Sequence, residues 1–155
     1  VPTTTLRIYD YRGTGALALD LRDLLDLLAP RSREANWTVS TVRLHHPVLG
    51  SIDEFMVTGP GDQGEDQLEQ FAADGLSVSG AELADAAHVT RQVIWGQFTA
   101  TLPEQRDAWV VIRAIDSTFY EITSSDEAVL NAIQSTYMDV RVAPGPATLD
   151  PIERI

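Results

Sequence analysis

The sequence predicts an α+β domain: a mainly antiparallel sheet of about five to six strands with three to four helices packed on one side. Three observations predict it. Residues 91–116 hold two runs rich in β-formers joined by a short turn, the pattern of a β-hairpin. Leu17, Leu21, Leu24, Leu25 and Leu28 fall on one helical stripe. The segments follow the order β-α-β-α-α-β-β-β-α-β, which favours antiparallel pairing with helices gathered on one face.

Thr3 to Tyr11 carries Thr5, Ile8 and Tyr9 and reads as a strand, broken by Gly13-Thr14-Gly15. Ala16 to Ala29 reads as the clearest helix, with Thr14 as its N-cap, Pro30 as its stop, and Asp20, Asp23 and Asp26 opposite the leucines. Asn36 to His45 alternates as one strand, with Trp37 and Val39 on one side and Val42 and Leu44 on the other. Residues 46–61 are ambiguous, with a short strand over Glu54 to Thr58 and a glycine-rich loop over 59–64. Glu65 to Ala73 reads as a helix closed by Gly75. Ser79 with Glu82 forms a capping box that opens a helix through Ala87. Arg91 to Leu102, Ala108 to Asp116 and Phe119 to Thr123 read as three successive strands. Ser124 to Glu127 reads as a second capping box, opening a helix with Val129, Leu130, Ile133 and Tyr137 on one stripe. Met138 to Val142 returns as a last strand. Residues 1–143 are expected to form a single domain, and 144–155, beginning Pro144-Gly145-Pro146, an extended or mobile tail.

The chain has 155 residues, enough to bury roughly 70% of its unfolded surface without a disulfide or metal staple. It has no cysteine, which excludes disulfides, thiolate zinc sites and cysteine nucleophiles. No apolar run reaches the length of a membrane span and no leader is visible, so a soluble, cytoplasmic protein is expected. Asp and Glu total 23 against 11 basic residues, for a net charge of −12, and every basic residue is Arg. Such a surface repels phosphate backbones and argues against nucleic-acid binding. The missing Lys points to a GC-rich bacterial coding sequence, with a salt-adapted host as the alternative.

Strong chemical signatures are absent. His45 and His46 are adjacent on a strand and point to opposite faces, so they do not grip one ion even with Asp53 and Glu54 nearby, and no metal is expected. His88 has no evident partner. No Gly-x-Ser-x-Gly elbow exists. The loop at 59–64 lacks the Gly-Lys-Ser/Thr ending of a phosphate cradle. No cofactor is expected, and enzymatic activity is disfavoured.

The hairpin holds the most informative surface. Ile94, Phe98, Ala100 and Leu102, with Val110, Ile112 and Ala114, are assigned to the core. The other face carries Arg91, Val93, Trp95, Gln97 and Thr99, then Trp109, Val111, Arg113 and Ile115, a mixture too apolar for plain solvent and too polar for a simple core. Trp95 beside Arg113 makes a cation–π pair with an even cross-strand register. Asp116 and Glu121 share a face if their strands form a tight hairpin, placing paired carboxylates nearby. The candidate binding residues are therefore Trp95, Arg113, Trp109, Arg91, Asp116 and Glu121.

Three functions fit this reading. The leading one is a non-enzymatic acidic binding protein, an inhibitor or immunity-type partner of a basic protein, because the charge speeds such an encounter. The second is a small-molecule-binding or enzymatic domain with a pocket on the hairpin sheet face. The third is a subunit that self-associates through that face. Composition and motifs name no substrate, partner or pathway.

Overall fold

The computed structural model describes residues 2–46, 48, 50–58 and 63–146. Ten strands and five helices are formed among them. The main sheet is antiparallel and eight-stranded. Across it run β10 (Val140–Ala143), β1 (Thr4–Ile8), β9 (Phe119–Ser124), β8 (Val110–Ile115), β7 (Gln92–Thr101), β2 (Asn36–Ser40) and β6 (Ser77–Ser79). The first strand therefore lies between two of the last. The ten-residue β7 pairs with β2 along one half and with β5 (Met56–Thr58) along the other. A separate two-stranded sheet joins β3 (Val42–His46) to β4 (Gly50–Glu54).

Alternation along each strand divides the sheet into two unlike faces. One face presents Leu6, Ile8, Trp37, Val39, Phe98, Ala100, Ile112 and Ile122, all buried. Helices α1 (Leu21–Leu27), α3 (Gln63–Asp74), α4 (Gly80–His88) and α5 (Glu127–Thr136) supply Leu24, Leu68, Leu83 and Ile133 to the same core. The short α2 (Arg31–Glu34) packs behind them, where Ser32 Oγ donates to the Leu25 carbonyl and Trp37 Nε1 donates to the Ser32 carbonyl. Gly80 is required at the start of α4. A Cβ there would overlap the Ser32 carbonyl oxygen and lie 2.6 Å from Arg33 Cα. Close backbone approach of this kind is a position only glycine fills.

The α+β class and the mainly antiparallel sheet hold, with a larger sheet than the sequence suggested. Several boundaries move for identifiable reasons. The first helix begins at Leu21 rather than Ala16. Asp20 is its N-cap, in a reciprocal box in which Asp23 accepts from the Asp20 N–H, while Leu17 sits in an isolated bridge with Tyr11. Leu17, Leu19 and Leu21 are all buried, so the leucines satisfy a period of two before they satisfy a helical one. The segment 36–45 is two strands divided at Thr41. That break lets Val42 and Leu44 fold back over the opposite face of the sheet. Asp126, not Ser124, caps α5 by accepting from the Ala128 N–H. Ser124 instead accepts from the Asp126 N–H and donates to the Trp109 carbonyl. A register shift between β5 and β7 exchanges two neighbours: Ile94 leaves the main core, where the alternation had put it, to pack with Trp95 in a second cluster, and Val93, expected on the other face, enters the main core. Residues 63 and 64 of the expected loop at 59–64 open α3, whereas its residues 59–62, the C-terminal segment beyond 146 and the side chains of His45 and His46 lie outside the described residues. Among the described residues no helix is long and apolar enough to cross a membrane.

Candidate functional site

The second face of the sheet carries a charged row at its centre. Strand register aligns Arg141 of β10, Arg7 of β1, Glu121 of β9, Arg113 of β8, Gln97 of β7 and Ser40 of β2 side by side. Glu121 is fully buried and receives both neighbouring guanidiniums. Arg7 Nε donates to its Oε2 at 3.0 Å and Arg113 Nη1 to its Oε1 at 2.9 Å. Arg113 also reaches the Arg43 carbonyl at 3.3 Å through Nη2. Buried charges persist when paired and hydrogen-bonded in this way.

Apolar packing flanks this row on one side. Val42 and Leu44 of β3 cover Trp95, Ile115 and Phe119. Arg7 lies over the Phe119 ring at 5.2 Å, and Tyr9 meets the same ring at 5.1 Å. On the other side the next row is half-buried: Thr5, Thr123, Val111, Thr99 and Thr38, aligned across five strands. Thr5 is the buried member and shares a 2.9 Å hydroxyl contact with Thr123. Here a cavity of about 490 Å³ opens over the sheet. Its floor is Ser40, Gln97, Val111, Arg113 and Thr123, and Thr41, Arg43 and Pro146 form its rim. Val111 and Thr123 of the floor are β-branched and fit a pleated surface, and strand alternation puts all five floor residues on one face of the sheet.

The structure unites part of the expected site and disperses the rest. Arg113 and Glu121 form a direct ion pair, with Arg113 in the cavity floor. Trp95 is on the same face but does not stack on Arg113. The register places Gln97 opposite Arg113, and Trp95 is covered by β3. Trp109 precedes β8 and leaves its alternation. It is buried in the main core, where its Nε1 donates to Asp126 and the Arg31 guanidinium lies 5.9 Å from its ring. Arg91 is exposed beside a different cavity. Asp116 sits in the β8–β9 turn with φ 50°, exposed, whereas Glu121 is held between two arginines, so these acids do not make a facing pair. Gln97, placed on this face by the alternation, joins the site, and so do Arg7, Ser40, Thr41, Arg43 and Thr123, which sequence reasoning did not select. The alternation Thr5-Leu6-Arg7-Ile8, with two strong apolar residues opposed to Thr and Arg, was the available signal for Arg7.

A second polar network ties the helical layer to two interior strands, β9 and β7. Asp20 Oδ1 accepts from the Tyr120 hydroxyl at 2.7 Å, the Leu21 N–H at 3.0 Å and the Val93 N–H at 3.2 Å. Burial raises the Asp20 pKa, opposed by those hydrogen bonds. The Tyr120 hydroxyl is pushed well above its usual range by burial and by the Asp20 charge. Neither group faces the large cavity.

Comparison with family models, curated proteins and solved structures gives no match.

Proposed function

We propose that this protein is a small-molecule-binding domain whose site is the cavity on the second face of the sheet. One observation carries the reading. The cavity of about 490 Å³ combines convergent polar groups from four adjacent strands with the apolar Val111 and Pro146. Ligand pockets commonly fall within roughly 300–1,000 Å³ and pair an apolar lining with a few placed polar groups. Gln97, Thr123, Ser40 and Arg113 provide donors and acceptors suited to a ligand bearing hydroxyl or carboxylate groups. Glu121 has both oxygens engaged by arginine, so its role in this reading is to hold Arg113 in place rather than to move a proton.

The test is a thermal-shift screen of polar metabolites against the wild-type chain and a Val111→Trp variant that fills the cavity. Binding at this site raises the wild-type melting temperature and leaves the variant unmoved. A crystal structure with the cavity filled by the protein's own side chains would overturn the reading, as would ligand stabilisation that survives Val111→Trp.

A second reading, an acidic partner for a basic protein, is favoured by the outer side of the helical layer. Asp23, Asp26, Glu69, Asp74, Glu82 and Asp85 are all exposed there. Its mark is a low-salt complex with a basic protein whose association rate falls steeply as salt is added.

A further inference from the structure

A smaller cavity of about 240 Å³ lies apart from the site above, between the turn at 12–17, the start of α1 and the start of β7. Its composition is unusual for a chain of net charge −12. Arg12, Arg22 and Arg91 come to it from three separate segments. Arg22 is fixed by donating through Nη1 to the carbonyls of Thr90 at 2.9 Å and Arg91 at 3.5 Å. Two carboxylates, Asp20 and Asp23, also line it, and the Asp20 charge acts on Arg22, so the guanidiniums outnumber the carboxylates three to two; one oxygen of each acid is held by the chain itself. Asp20 Oδ1 accepts from Tyr120, Leu21 and Val93, and Asp23 Oδ2 accepts from the Asp20 N–H. Among the described residues no ion pair links these three guanidiniums to a carboxylate. Buried Leu17 and Leu19 line the back of the cavity and exclude water there, which strengthens the field of the surrounding charges.

From this arrangement we infer that the cavity is a binding site for a small oxyanion, a phosphate or carboxylate group. Planar guanidiniums present paired N–H donors that match both anions. Arg22, anchored to the backbone, forms the fixed wall. Arg12 and Arg91, both exposed, close on the anion from either side. The volume suits an ion or a single headgroup rather than a large ligand. The Arg12-Gly13-Thr14-Gly15 turn is held by the Gly15 N–H donating to the Arg12 carbonyl at 2.9 Å, which sets the position of Arg12.

The test is a heteronuclear NMR titration of the full chain with inorganic phosphate and, separately, with acetate, at constant ionic strength balanced with chloride. The inference expects saturable shifts at Arg12, Arg22, Arg91 and Gln92 with either anion, half-complete at roughly millimolar concentration. The anion that saturates at lower concentration names the class. Arg12→Gln and Arg91→Gln each weaken binding about tenfold, the effect of losing a charge-assisted hydrogen bond. Val111→Trp, in the other cavity, leaves the titration unchanged, which separates failure here from failure of the function proposed above. Linear shifts with both anions, or a dissociation constant unmoved by both arginine substitutions, would overturn the inference.

Discussion

Replacing Glu121 by Gln tests whether the charged row on the sheet is a true buried triad. Glu121 is fully buried and accepts Arg7 at 3.0 Å and Arg113 at 2.9 Å, and the two arginine side chains are themselves 8% and 5% exposed. The substitution keeps the volume and one acceptor oxygen, so packing is nearly constant. What it removes is the negative charge shared by two buried cations. Removing one member of a buried ion pair costs about 3–5 kcal/mol, and the retained oxygen places this variant near the lower figure. With a urea dependence of about 2 kcal/mol/M, a loss of about 3 kcal/mol lowers the unfolding midpoint by roughly 1.5 M. The assay is equilibrium urea unfolding followed by tryptophan fluorescence and circular dichroism together, so that two-state behaviour is checked. Replacing Arg7, Glu121 and Arg113 together by Met should recover much of the loss, because no charge then remains to be desolvated. A loss under about 1 kcal/mol for Glu121→Gln, the size of an exposed pair, would refute the reasoning.

Other outcomes follow from the same geometry. Gly80→Ala forces a Cβ into the Ser32 backbone carbonyl, which no rotamer relieves, and should cost about 2–3 kcal/mol, read as a melting temperature lower by roughly 4–12 °C. Tyr120→Phe removes the hydroxyl that donates to Asp20 at 2.7 Å and should cost about 1.5–3 kcal/mol. The same change raises the Asp20 pKa further, because the Tyr120 hydrogen bond is the leading influence that lowers it, and carboxyl NMR titration reads that rise. His88 is held above the ordinary imidazole value of 6.5, first by its hydrogen bond to the Ala84 carbonyl and then by Asp26. Its contribution to stability is therefore complete below that value and is lost as pH rises through the folded-state pKa. Asp26→Asn should lower the His88 titration midpoint and reduce this pH dependence, an effect kept small by solvent at a half-exposed pair.

The parts of the fold legible in the sequence were those in which one periodicity dominated. Val110, Ile112 and Ala114 alternate cleanly, and their core assignment needed no knowledge of partners. Ser79 with Glu82 is a local chemical unit, and it caps α4 as local chemistry requires. The misplaced parts involve two periods competing in the same letters. Leu17 to Leu28 serves both a strand-like and a helical reading. Trp37 to Leu44 alternates through a break at Thr41 that only tertiary packing defines. At the candidate site, Arg113 and Glu121 were visible as charges on strands. Their joining with Arg7 depends on a register spanning more than a hundred residues, which no local pattern encodes. The cation–π pair of Trp95 with Arg113 failed for a local reason: the hairpin register puts Gln97 opposite Arg113, two residues from Trp95.

The position of β1 between β9 and β10 has a consequence for how the molecule comes together. Hydrogen bonds of the earliest strand close only with segments made more than a hundred residues later. A nascent chain therefore carries Leu6 and Ile8 without their strand partners until residues 119–143 have been made, and β1 joins β10 to the rest of the sheet only through contacts of high sequence separation. Such non-local closure slows folding, since the loop entropy is lost before any of these contacts forms.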